Sequence, residues 1–394
     1  MPWRDEFPIF DKHPELVYLD SAATTHKPRS VIEALSRFYA EEYATVHRTV
    51  YRGAVAATEK YHETREAVRK FVGAERVEEI VFTRGTTESL NLVAQSWGKT
   101  FLRAGDEIVV SEGEHHSNLV PWQMLAESTG AVIRWAKIRD DGTIDFSCIN
   151  ARTKLVAVAH VSNVTGTIHP IADIVRQAHA VGAIVVVDGA QGPSHLPVNV
   201  QALDCDFYAF SGHKCYGPTG IGILYGKHSW LEQMPPVHGG GDMIAKVTLE
   251  KTTFAAPPLR FEAGTPLIGP VIALKSALDF IESIGIETIA QHEQKLHRAL
   301  EQGLKTIDGL RFIGSAKHKA PITTFTIDGI HPLDLATLLD LSHIAIRSGH
   351  LCAQPCLRRF GLETAARASL GVYNTMHDVE RFIDAMHAVT KQLI

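Results

Sequence analysis

Between residues 79 and 225, short apolar runs alternate with amphipathic stretches. The runs are Glu79–Thr83, Glu107–Ser111, Val132–Trp135, Leu155–Val161, Ile184–Asp188, Phe207–Phe210 and Ile221–Tyr225. Runs this apolar, with little alternation, are strands buried on both faces, which predicts a mostly parallel sheet covered by helices. Helices are expected between most of them, as at Ile171–Val181 before Gly182. Upstream, Val17–Leu19 predicts a short strand, Pro28 opens a helix to about Tyr43, and a second helix runs from about Thr58 to Val72. Residues 235–266, rich in glycine and proline, predict an extended loop or hairpin. After it come helices Val271–Ile284 and Glu287–Ile307, strands Leu310–Ile313 and Thr323–Ile327, a helix from Pro332 and a last helix from His377. The expected architecture is α/β with two domains: a large one over 16–264, and a smaller α+β domain made of 1–15 and 265–394.

Composition removes several function classes. Net charge is −5 with lysine and arginine scattered along 394 residues, so neither a nucleic-acid footprint nor a polybasic membrane patch is expected. No apolar run approaches the ~20 residues that span a bilayer, and residues 1–6 lack the apolar core of a signal segment. Five cysteines in so long a chain are not a disulfide framework; they imply a reducing compartment, most simply the cytoplasm. Small molecules are the expected partners.

Ligands on parallel sheets bind beyond the carboxyl ends of the strands, and those positions carry the chemistry here. Arg84-Gly-Thr86-Thr87-Glu88 enters a helix, as an anion cradle or as a threonine N-cap with Glu88 in a capping box. Glu114-His115-His116 offers an imidazole that could stack on a planar cofactor or move protons; zinc lacks matching ligand spacing nearby. Asn163 places an amide at the same rim. Asp188 ends an apolar strand, where a carboxylate is costly unless it meets a cation such as a protonated pyridine; Gln191 could bond a ring substituent. Ser211-Gly-His213-Lys214 puts on a tight turn an amine that could form a Schiff base. Together these are the parts of a pyridoxal phosphate site. Further on, Arg347 and Arg367 could clamp a carboxylate, and Cys352, in a Gly/Pro-bounded loop, is a candidate nucleophile. Cys352 and Cys356 with His350 fall one ligand short of a metal site, so no metal is expected.

These motifs, in this order and over essentially the whole chain, resemble the SufS-type (class II) pyridoxal-phosphate cysteine desulfurases and selenocysteine lyases. The resemblance rests on Tyr43-Ala-Thr-Val-His47-Arg48, Arg84–Glu88, Glu114–His116, Val186–Gln191, Ser211–Lys214, Arg260-Phe-Glu-Ala-Gly-Thr-Pro266, Arg347-Ser-Gly-His-Leu-Cys352 and Arg367–Leu370. It implies a fold type I, aminotransferase class V-like homodimer with its site near the subunit interface. It implies that Lys214 carries the cofactor, Asp188 holds the pyridinium, Gln191 contacts the ring oxygen and His115 stacks on the ring. By the same resemblance Thr86, Thr87, Ser211 and His213 bind phosphate, with Thr265 reaching over from the other subunit. Asn163, Arg347, Arg367, Ala22 and His47 contact substrate. Cys352 takes sulfur from L-cysteine as a persulfide, leaving L-alanine, and a SufE- or SufU-like acceptor collects it for iron–sulfur assembly. L-selenocysteine is an alternative substrate in this branch. The Gly239–Ile244 loop resembles the segment that covers the site.

The chain departs from the pattern at Leu267, where asparagine is often found, and at Cys215, which follows Lys214 where an aliphatic residue is usual. Cys356 stands close enough to Cys352 in sequence to pair with it or to resolve a persulfide. Rival readings are a cysteine sulfinate desulfinase, an aminotransferase, which needs no thiol such as Cys352, and a non-catalytic scaffold of iron–sulfur assembly, against which Lys214, Asp188, His115 and Cys352 all argue.

Overall fold

The computed structural model of the protein describes residues 2–47 and 50–393; Arg48, the end of one motif above, lies outside them with Met1, Thr49 and Ile394. Its centre is a sheet of eight strands in the order Ile80–Thr83, Gly222–Gly226, Phe207–Ser211, Ile184–Asp188, Thr153–Ala159, Glu107–Ser111, Val132–Ile138 and Ile144–Asp145. The run from Phe207–Ser211 to Val132–Ile138 is parallel throughout. Gly222–Gly226 lies antiparallel to both its neighbours, and Ile144–Asp145 closes the far edge antiparallel. The sheet is thus mixed and mostly parallel.

Side chains alternate between two buried faces, as strand geometry demands. Val185 and Val187 join Val156, Val158 and Tyr208 under the helices Arg52–Val72 and Ile171–His179. Ile184 and Val186 join Ile108, Val110 and Leu224 under Trp97, Trp122 and Leu125. One strand departs from the expectation of double burial. Val132–Trp135 is half exposed, because only the two-residue strand Ile144–Asp145 lies beyond it at the sheet edge.

The second sheet has four antiparallel strands, ordered Leu310–Phe312, Ile322–Ile327, Ala365–Ser369 and Arg347–Gly349. Helices Ile286–Leu304, Pro332–Asp340 and Met376–Leu393 share its core. The apolar packing links segments across the expected division of the chain. Helix Ile268–Ile284, assigned above to the small domain, packs into the large core, as do Phe7 and Phe10. Val17 and Leu19 instead sit in the small-domain core. Helix Ile286–Leu304 bridges the two, contributing Ile289 to the large core and Leu296, Leu300 and Leu304 to the small one. The 235–266 segment holds the exposed hairpin Ile244–Val247/Thr252–Phe254. It is fastened at Glu262, a motif residue whose task is structural: it accepts both Arg65 guanidinium nitrogens, at 2.6 and 2.8 Å, and the Phe82 N–H at 2.7 Å. Among the described residues no helix is long and apolar enough to cross a membrane.

One close approach joins this fold to its site. A Cβ placed on Gly222 would lie 2.3 Å from the Gly85 Cα, so only glycine lets the turn before helix Thr86–Val93 settle on the sheet. Gly222→Ala is expected to cost about 1–3 kcal/mol by overpacking and to loosen that helix entry. Denaturant unfolding checks this, and a variant of unchanged stability would refute it.

Candidate active site

Strands Thr153–Ala159, Ile184–Asp188 and Phe207–Ser211 end at one cavity of about 220 Å³, walled by Ala159, Asp188, Ser211 and Lys214 among others. At one end, the Ser211 Oγ accepts the Thr86 N–H at 2.8 Å and pairs with the Thr86 hydroxyl at 2.7 Å. The helix Thr86–Val93 is therefore capped by a neighbouring strand and not by its own threonine. Glu88 does reach back to the Arg84 N–H, at 2.5 Å. The Thr87 hydroxyl pairs with that of Ser117 at 2.7 Å, and His213 Nδ1 lies 3.1 Å from the Thr24 hydroxyl. Hydroxyls gathered at the positive end of a helix suit a phosphate.

At the other end, Asp188 is buried, with one oxygen accepting the Ala190 N–H at 2.9 Å. Burial pushes its pKa up, against the Ala190 N–H and the positive Lys214, so the carboxylate calls for a cation at its open oxygen. His115 Nδ1 accepts the Ser117 N–H at 3.1 Å, which leaves the ring proton on Nε2. Burial, then the charges of Lys214, His116 and Arg367, lower its pKa to about 3, so the imidazole is neutral. Lys214 makes no hydrogen bond among the described residues, and burial, opposed by Asp188, lowers its amine to about 8. Gln191 donates to the Ala22 carbonyl at 2.7 Å and fastens the Asp20–Thr25 turn to the sheet.

A second hollow of about 320 Å³ opens beside the first, and the two share Ala23, His115, Asn163 and Lys214 as walls. Its other walls include Ala22, Arg347, Cys352 and Arg367. Arg367 is 3% exposed and donates to the Asn163 carbonyl at 2.9 Å and to Asp20 at 3.2 Å, while its buried Nε has no partner. Arg347 lies 3.7 Å from the other Asp20 oxygen. Asn163 in turn donates to the Leu351 carbonyl at 2.8 Å, holding the loop in which Leu351 and Cys352 both take left-handed backbone, φ 53° and 52°. Cys352 is half-buried at the mouth.

The fold thus brings Thr86, Thr87, His115, Asn163, Asp188, Gln191, Ser211, His213 and Lys214 to the inner cavity, and Ala22, Arg347, Cys352 and Arg367 to the outer one. Two expected residues lie elsewhere on this chain. Thr265 is exposed beyond the left-handed Gly264, and His47 packs edge-on to Tyr61 at 5.3 Å; neither lines either of these two hollows. Cys356 does not fit a resolving thiol, since it is buried in the helix Gln354–Arg359 and burial pushes it up to about 12. Cys215 is likewise buried and pushed up to about 12. Asp20, Ser117 and the buried Glu114, which accepts from Ser111, Asn118 and the Ala159 N–H, were not singled out by their residue pattern. The signal was there for Asp20, a carboxylate just after a strand, as Asp188 is.

The donor set tests the cofactor. Hydroxyls at a helix N-terminus, an open carboxylate oxygen and an unpartnered amine between them fit a group with a phosphate, a basic ring nitrogen and an aldehyde. Pyridoxal phosphate is such a group. Residues 17–382 match the family model described as Aminotransferase class-V. The chain belongs to that family.

Within it, the chain is 47% identical to the cysteine desulfurase of Dickeya dadantii, over 99% of this chain and 96% of the relative. It is 48% identical to a probable cysteine desulfurase of Vibrio cholerae, over 94% and 93%. The crystal structure of the Escherichia coli cysteine desulfurase CsdA superposes with a TM-score of 0.94 at 40% identity, covering 100% of this chain and 98% of that one. The family branch is the pyridoxal-phosphate-dependent cysteine desulfurases, and the chain has their fold.

With its amine lowered to about 8, Lys214 is about one-tenth neutral at pH 7, against well under a thousandth for an ordinary lysine. Only the neutral amine attacks an aldehyde. The rate at which the apoprotein takes up pyridoxal phosphate is therefore expected to rise about tenfold per pH unit below 8 and to level off above it. Loading followed by absorbance across pH checks this; a rise that continued to pH 10 would contradict it.

Proposed function

We infer that this chain is a cysteine desulfurase that converts L-cysteine to L-alanine and takes the sulfur onto Cys352 as a persulfide. The observation that carries the reading is the shared wall: Lys214 and Cys352 open into two hollows with His115 and Asn163 common to both. Pyridoxal phosphate, when bound, supplies an aldehyde for the substrate amine and a ring that accepts electron density from the substrate Cα. Thr86, Thr87, Ser211 and His213 would hold its phosphate, and Asp188 would keep a proton on its ring nitrogen. The neutral His115 and Gln191, walls of the same cavity, would hold its ring. Lys214, as the neutral amine, takes the proton from the substrate Cα. Arg367 and Arg347, on the wall of the outer hollow, are the cations for the substrate carboxylate, with Asn163 bracing both Arg367 and the cysteine loop. Cys352, as thiolate, attacks the substrate sulfur. An S–S bond forms as the C–S bond breaks; its electron pair stays with the carbon fragment, which gains protons and leaves as L-alanine.

A second copy of the chain completes the site in this reading. Tyr39, Tyr43, Val50 and Tyr51 are exposed, Val50 at 97%, on the segment that also carries His47. An apolar patch of that kind suits a homodimer in which Thr265 serves the neighbouring phosphate site. Cys352, half-buried at the mouth, suits delivery to a SufE- or SufU-like acceptor for iron–sulfur assembly, and the five free thiols suit the cytoplasm. L-selenocysteine is an alternative substrate for the same residues.

The test gives the holoenzyme L-cysteine without reductant, quantifies alanine, and maps added sulfur by peptide mass spectrometry. Alanine with one extra sulfur on Cys352, lost in Cys352→Ala, is expected. Alanine formed with Cys352 unmodified would remove the role of the thiol, and no alanine from a cofactor-loaded protein would remove the reaction.

A further inference from the structure

We propose that His116, His350 and Cys352 form a zinc site at the mouth of the cleft, and that zinc bound there holds the enzyme idle. One ligand atom from each lies within 4.8 Å of the other two. Spacing along the chain hides the set, because His116 follows a strand of the large sheet while His350 and Cys352 belong to the small domain. Two imidazoles and a thiolate are a donor set that zinc favours, and three protein ligands leave the fourth tetrahedral position open to water or to a substrate thiol.

The hydrogen bonds already turn lone pairs toward the cysteine loop. His350 Nδ1 accepts the Cys352 N–H at 3.0 Å, and His116 Nε2 accepts the Gln354 N–H at 3.2 Å. The two rings stand 5.7 Å apart and only 34° from parallel. The His116 backbone N–H donates to the Cys352 carbonyl at 2.7 Å, which ties the two chain segments together. Zinc ligand atoms lie about 3.3–3.8 Å apart, so the loop closes by about 1 Å and trades two backbone-to-ring hydrogen bonds for two zinc–nitrogen bonds. Entry is open, since His350 is exposed and the other two are half-buried. The cations nearby are Arg347, Arg367 and Lys214; Asp20 offsets the two arginines, at 3.7 and 3.2 Å. On binding, the thiol gives its proton to solvent as the zinc–sulfur bond forms, with no change of oxidation state. The nucleophile is then a metal ligand, and sulfur transfer stops.

The experiment dialyses the holoenzyme against graded Zn²⁺, counts bound metal per chain, and follows alanine formation alongside. One zinc per chain is expected, with activity lost in step and restored by a chelator. Cys352→Ser should abolish that zinc. His116→Ala and His350→Ala should each weaken it by at least about tenfold, while His350→Cys, which replaces one zinc donor by another, should retain it. Cofactor absorbance reports whether each variant is folded without reference to turnover. Zinc bound equally well by both histidine variants would reveal a simple thiolate complex and overturn the site; zinc retained by Cys352→Ser would place the metal elsewhere and overturn it too. The metal count stands apart from the desulfurase reading, because it needs no substrate.

Discussion

A buried guanidinium organises the junction of the two domains. Arg367 stands on a small-domain strand directly opposite Arg347, so two like charges face each other across an antiparallel pair, an arrangement that is destabilising by itself. Asp20, from the turn after the first strand, lies between them and reaches both. Arg367 then ties the large sheet through the Asn163 carbonyl, and Asn163 ties the cysteine loop through Leu351. Three distant segments meet at one cation. Its Nε remains buried and unpartnered, a state that costs about 1–3 kcal/mol for a donor left without an acceptor.

The same logic runs along the strand ends. Burial raises the pKa of Asp188 and lowers those of His115 and Lys214, in each case disfavouring the charged form. For His115 and Lys214 that direction gives a neutral ring and an amine with a larger neutral fraction than an ordinary lysine. For Asp188 it is a demand for a cation. One physical cause, low solvent access at the end of a parallel sheet, therefore prepares three groups for three different tasks.

The large sheet was legible because its strands are apolar runs set off by glycine and polar turns, and the site was legible because a parallel sheet delivers its strand ends to one rim. Thr86, His115, Asp188 and Lys214 could be placed together on that argument alone. The partners that act through space were not. Ser211 caps a helix far from it in sequence, and Asp20 gains its meaning only when Arg367 arrives from the far end of the chain. Strands Arg347–Gly349 and Ala365–Ser369 are short, polar or alanine-rich, with no period of their own; pairing with each other and with Ile322–Ile327 makes them strands. Helix Ile268–Ile284 packs against the large core, which its apolar face alone does not reveal, because an apolar face does not say which sheet it meets.

The cysteines show how far tertiary placement, not residue type, decides reactivity. Cys205, Cys215 and Cys356 are buried, and burial raises all three thiols, Cys215 and Cys356 to about 12. Cys352 differs by four positions from Cys356 yet faces the cleft, because Leu351 and Cys352 turn left-handed in succession and lift the side chain off the helix that follows. Two such residues cost of order 1–3 kcal/mol each, and contacts from outside the loop maintain them: Asn163 on the Leu351 carbonyl and the His116 N–H on the Cys352 carbonyl. Both contacts come from the large domain, from segments that also line the cofactor cavity. The loop that carries the thiol is thus positioned by the same walls that line the inner cavity, and movement of one domain against the other would shift Cys352 relative to Lys214.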